Sequence, residues 1–224
     1  MKQIALDMGS SDPPSFDSFA AGANESVLAH LRLWTTHATR SPVPTYLWGE
    51  SGSGKTHLLM AAERVICEQG ALVGWLDATV AQPPPFNENW AAVVLDDVQA
   101  YSAEQQHAAF TWFVDAQTHQ RWVLAAGAQP PADLPLREDL RTRLGWGHVF
   151  ALAAPSEAER RAVLRRSADA RGLFLGDELM DFMLSRFQRD LGSLMNLLER
   201  MDRYAMAHKR ALTVPLLKAM LDEK

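Results

Sequence analysis

Residues Gly49-Glu50-Ser51-Gly52-Ser53-Gly54-Lys55-Thr56 spell G-x-x-x-x-G-K-[ST], and this loop leaves the chain few folds to choose from. Glycine backbones turn tightly enough for successive N–H groups to converge on one anion. The lysine of such a loop reaches the β/γ-phosphates of a nucleotide, and the threonine hydroxyl can ligate Mg²⁺. The loop needs a strand before it and a helix after it, whose amino end adds a favourable dipole to the anion site. Thr45-Tyr46-Leu47-Trp48 reads as that strand, and Lys55 to Gln69 as that helix, closed by Gly70. The expected ligand is a nucleoside di- or triphosphate with Mg²⁺.

The rest of the first two thirds alternates in the same way. Strands are predicted at Ala71 to Leu76, at Ala91 to Asp96, at Trp122 to Ala126 and at His148 to Leu152. Ala91-Ala92-Val93-Val94-Leu95 is a continuous apolar run of the kind buried on both faces of a parallel sheet. Asn24 is expected to cap a helix running to about Thr39, and Ser102-Ala103-Glu104-Gln105 is a capping-box signature opening another. From Ser156-Glu157-Ala158-Glu159 onward everything reads as helix, over 156–171, 177–187, 190–208 and 213–222. The expected architecture is a five-stranded parallel α/β base over residues 13–155 and a small all-helical lid over 156–224. A flexible tail is expected over residues 1–12.

Composition narrows the function. A net charge of −5 argues against a strongly basic, free-standing nucleic-acid binder and leaves room for indirect or weak contact with DNA. The chain shows no signal peptide and no apolar run long enough to span a bilayer, so the expectation is a cytoplasmic protein without a membrane partner. Cys67 is the single cysteine and lies in an apolar helical stretch, where a buried core thiol is expected.

Asp96-Asp97 closes the apolar strand that follows the loop helix. Asp96 is placed to hold Mg²⁺ together with Thr56, and Asp97 to act as a water-activating carboxylate. Taken alone, Asp97 has a competing reading as a capping acid near a helix.

With these elements in place, the chain resembles the AAA+ P-loop ATPases, and within them the replication initiator DnaA family. Four stretches carry the resemblance: Phe16-Asp17-Ser18-Phe19 with Gly22 and Asn24, Asp96-Asp97-Val98-Gln99, Thr142-Arg143-Leu144-Gly145-Trp146-Gly147, and Arg189-Asp190-Leu191. The first resembles an entry segment flanking the adenine, and the second a Walker B element. The third implies that Arg143 is an arginine finger acting in trans, although by spacing alone Arg137 and Arg141 compete for that role. The fourth implies that Arg189 is a sensor 2 arginine reaching from the lid to the bound phosphates. One departure stands out. The polar sensor 1 residue expected after the strand at Trp122 falls on Ala128, so intrinsic hydrolysis should be weak unless Gln129 substitutes.

At the amino terminus, Gln3, Ile4, Leu6 and Met8 form a pattern resembling the short peptide that docks on the β sliding clamp of DNA polymerase III. No helix-turn-helix pattern follows the last lid helix, so origin recognition is not expected. Together these features resemble the regulatory inactivators of DnaA. The resemblance implies an ADP- or ATP-binding negative regulator of replication initiation, bound to the nucleoid through the clamp. Its partners would be DnaA and the clamp, with a homo-oligomer open. A helicase-loader type AAA+ ATPase, a self-sufficient P-loop ATPase and a plain nucleotide-binding scaffold are the competing readings.

Overall fold

The computed structural model describes residues 13–36, 43–187 and 190–223. They form two compact units, Pro14–Ala154 and Pro155 onward. The first contains α1 (Glu25–Thr36), β1 (Thr45–Trp48), α2 (Lys55–Glu68), β2 (Leu72–Leu76) and β3 (Trp90–Leu95). It continues with α3 (Ala103–Thr118), β4 (Trp122–Gly127), α4 (Glu138–Leu144) and β5 (His148–Ala151).

The five strands lie in the order β2-β3-β4-β1-β5, and each neighbouring pair is parallel. The expected five-stranded parallel sheet is thus borne out. Because side chains alternate across a strand, the apolar runs feed two cores at once. Leu47, Ala92, Val94, Leu124 and Ala126 face Leu31 of α1 and Leu58, Leu59 and Ile66 of α2. Tyr46, Val93, Leu95, Val123 and Ala125 face Trp112 and Phe113 of α3 and Leu140 and Leu144 of α4. Parallel connection puts every strand's carboxyl end on one edge of the sheet. The phosphate loop after β1, Asp96 after β3 and Ala128 after β4 share that edge.

Ser102 accepts from the Gln105 backbone N–H while the Gln105 side chain accepts from that of Ser102, which completes the capping box of α3. Asn24 does not cap a helix as expected. It ends a 3-10 turn, and its carboxamide exchanges two hydrogen bonds with the Ala153 backbone, at 2.9 and 2.8 Å. The entry segment is thereby fastened just beyond the carboxyl end of β5. Cys67 is exposed, not a core thiol, because it falls on the outward side of α2.

The second unit comprises α5 (Glu157–Ala170), α6 (Asp177–Arg186), α7 (Leu191–His208) and α8 (Val214–Asp222). Leu164, Leu179, Met183, Leu194, Leu198, Met201 and Leu217 form its own core. Three of its four helices, α5, α7 and α8, open on side-chain caps at Ser156, Asp190 and Thr213. No helix among the described residues is long and apolar enough to cross a membrane.

Candidate functional site

Gly49 to Thr56 wraps around the amino end of α2. Gly52 and Gly54 have φ of 77° and 94°, conformations that residues with a Cβ seldom adopt. Gly54 is doubly restricted, since a Cβ there would lie 2.5 Å from the Phe19 ring. At Gly49 a Cβ would lie 2.5 Å from the Leu152 carbonyl oxygen. The loop is thus pressed between the entry segment and the end of β5.

Lys55 is buried, and its ammonium donates to the carbonyls of Gly49 at 2.8 Å and Glu50 at 2.9 Å. Two of its three N–H donors therefore brace the loop, and the third remains for a ligand. Burial lowers the Lys55 pKa, opposed by the carboxylates of Asp97 and Asp96. The Ser53 hydroxyl is buried with no hydrogen-bond partner. An orphaned buried hydroxyl in a glycine cradle, beside a buried ammonium at a helix amino terminus, fits a phosphate chain.

Asp96 is buried at the end of β3, and burial raises its pKa, while a hydrogen bond from the Thr56 side chain acts the other way. Thr56 and Asp96 are therefore in contact, as a shared Mg²⁺ would need. No cluster of three or more His, Cys, Asp or Glu residues that could hold a metal occurs among the described residues. A cation here would draw on one hydroxyl, one carboxylate and the ligand's own oxygens, a donor set that suits Mg²⁺.

Asp97 is exposed and left-handed, with φ of 48°. Its carboxylate accepts from Gln99 Nε2 at 3.2 Å, and Gln99 Oε1 accepts from the Ala128 backbone N–H at 2.9 Å. One carboxamide thus ties the acid after β3 to the segment after β4. Gln129 does not take this place, since its carbonyl accepts from the Tyr46 hydroxyl at 2.8 Å and its side chain is exposed. The role of Gln99 went unpredicted; its signal was its place two residues beyond Asp97.

The entry segment lies against the same helix. His57 Nε2 is 2.9 Å from the Ser15 carbonyl and 3.2 Å from Ser18 Oγ, and its ring centroid is 5.8 Å from that of Phe19.

Arg143 lies elsewhere. Its Nη1 donates to Gln117 Oε1 at 2.9 Å, in the last turn of α3, just ahead of the amino end of β4. The chain then runs through Gly147, packed on the Pro44 carbonyl, to His148, which pairs with Thr45 at the amino end of β1. Strands of four to six residues, at about 3.3 Å per residue, set roughly 13–20 Å between this edge and the phosphate loop. Arg143 therefore faces away from its own chain's loop. Arg137 is held by Asp139 at 2.6 Å. Gln3, Ile4, Leu6, Met8 and Arg189 lie outside the described residues.

Comparison with known proteins agrees with this arrangement. Residues 12–74 match the bacterial DnaA ATPase domain family, and residues 157–221 match the lid domain of Hda. The chain is a DnaA/Hda-like AAA+ protein. Domain III of the Thermotoga maritima replication initiation protein DnaA superposes on this AAA+ chain with a TM-score of 0.76 at 19% identity, covering 95% of this chain and 98% of that one. AMPPCP-bound DnaA from Aquifex aeolicus gives 0.68 at 19% identity, covering 84% of this chain and 65% of that one. The Thermotoga maritima RuvB branch migration motor gives 0.64 at 15% identity, over 94% and 72% of the two chains. At these identities the likeness establishes a shared AAA+ fold.

Proposed function

We propose that this DnaA/Hda-like protein binds ADP or ATP with Mg²⁺ and uses Arg143 to stimulate hydrolysis on a different, DnaA-type subunit. Gly49 to Thr56 and Arg189 would hold the phosphates, with Thr56 and Asp96 on the metal. Mg²⁺ would neutralise phosphate charge. Lys55 would hold the outer phosphates through its free donor, and the fastened entry segment would cover the base. Asp97 is the water-orienting carboxylate, restrained here by Gln99, and Ala128 offers no polar partner. Own-site turnover is therefore slow, and the bound nucleotide serves mainly to set the protein's conformation.

The observation that carries this reading is the separation of Arg143 from its own phosphate loop by the depth of the sheet. A guanidinium presented to a neighbour's triphosphate stabilises charge on the transferred phosphoryl group, an effect reaching 10³–10⁵-fold in related systems. The Hda lid match favours an inactivator of DnaA over an initiator. Recruitment would run through Gln3, Ile4, Leu6 and Met8 to the β sliding clamp, which confines the activity to DNA-loaded clamps.

The deciding measurement is hydrolysis by ATP-bound DnaA with DNA-loaded clamp present. Arg143→Ala should abolish stimulation and Arg141→Ala should retain most of it; the reverse pattern would sink the finger assignment. A peptide of residues 1–10 that fails to bind the clamp would remove the recruitment step. Brisk ATP turnover by the isolated chain would favour a self-sufficient ATPase instead.

A further inference from the structure

We infer that Gln117 and Phe110 of α3 are positioning residues that set the Arg143 guanidinium in place before any partner arrives. This rests on the reading of Arg143 given above and adds the device that makes it effective.

Phe110, Phe113 and Gln117 are spaced i, i+3 and i+7, so they form one stripe along α3. The Arg143 guanidinium carbon is 5.0 Å from the Phe110 ring centroid and 5.8 Å from that of Phe113, within cation–π range. Its Nη1 is bonded to the Gln117 carboxamide at 2.9 Å. Phe113 is fully buried in the core between α3 and the sheet, so the platform beneath the guanidinium is rigid. One of the five N–H donors of Arg143 is used, and four remain for an incoming anion.

The choice of partners is the informative part. Arg137 also lies over Phe110, at 5.4 Å, but its Nη2 is paired with the Asp139 carboxylate at 2.6 Å. No carboxylate lies within ion-pair distance of Arg143 among the described residues. A carboxamide and aromatic faces fix orientation while leaving the positive charge uncancelled. A carboxylate would fix it too, but would neutralise it and compete with a phosphate. The Arg141 side chain has no hydrogen bond, ion pair or ring contact among the described residues; its backbone is bonded within α4. It would lose its side-chain freedom only on binding, an entropic cost that a long cationic side chain feels strongly. Of the three arginines, Arg143 alone is both ordered and uncompensated.

The test uses the full chain with DNA-loaded clamp and ATP-bound DnaA, reading the maximal hydrolysis rate and the half-saturating concentration separately. Misplacing a catalytic group costs rate, so Gln117→Ala and Phe110→Ala should each lower the maximal rate by roughly ten- to a hundred-fold with half-saturation little changed. Gln117→Glu keeps an acceptor but adds a cancelling charge, and should lower the rate at least as much. Phe110→Leu keeps the apolar bulk and removes the ring, which guards against a packing artefact. Thermal unfolding and the chain's own ADP affinity should match the parent in the Gln117 variants. If Arg143→Ala is inactive while Gln117→Ala, Gln117→Glu and Phe110→Leu all match the parent, the positioning role is wrong. A parental rate in Arg143→Ala would instead overturn the finger itself. Loss through half-saturation alone would mark these residues as docking contacts and also refute the inference.

Discussion

Phe19 presses its ring on Gly54 so closely that a single methyl group there has nowhere to go, because the added carbon would meet the ring at 2.5 Å. The same residue has φ of 94°, so Gly54→Ala incurs both a clash and a backbone penalty. The expected loss is roughly 1–3 kcal/mol of unfolding free energy, with a fall in ADP affinity. Parental values in a denaturant titration and in calorimetry would refute it. The turn at Gly54 and the helix start at Lys55 and Thr56 were legible because the motif fixes a loop followed by a helix. Gln117 was not, since a glutamine announces nothing until folding shows what its carboxamide spans, and Gln99 had only its nearness to Asp97 as a signal. Cys67 was misread because a window of apolar neighbours does not reveal which face of a helix turns outward.

Among the elements, α1 and the edge strand β5 are joined through two histidines. His30 Nε2 is 3.0 Å from Thr45 Oγ1, and its ring centroid is 4.8 Å from that of His148. Burial first, and then His148, hold the His30 pKa below its ordinary 6.5. The native state thus favours the neutral ring. Its contribution is complete above 6.5 and lost as pH falls through the lowered native value. Urea midpoints measured from pH 8 to 5 should fall on the acid side, and less so in His30→Gln. Equal acid slopes in the two proteins would contradict this. The strands themselves were legible to within a residue or two, because an apolar run between turn residues is a strong signal. Asn24 was placed correctly as a polar residue at the start of a helix, but its partner proved to be Ala153, a contact made only once the sheet closes.

Across the whole molecule, strands and helices alternate through the first unit, and the second is built of helices alone. Each has a core of its own. Leu198 is fully buried in the core of the helical unit, and Leu198→Ala should cost about 2–5 kcal/mol there. Hydrogen exchange should show the loss in amides of α5 to α8, with those of β1, β3 and β4 spared. Uniform deprotection of the sheet would argue against two separately built cores.

A molecule that receives a ligand at one edge of its sheet and offers a cation at the other is directional, like a battery with a socket and a terminal. Two copies related by a twofold axis would bring like poles together, so a contact setting one unit's Arg143 edge against another's loop edge would be head-to-tail. A stack built that way would have two unlike ends, and under the proposed function a newcomer offering Arg143 would act at only one of them. The sequence from loop to arginine thus encodes an arrow as well as a pair of sites.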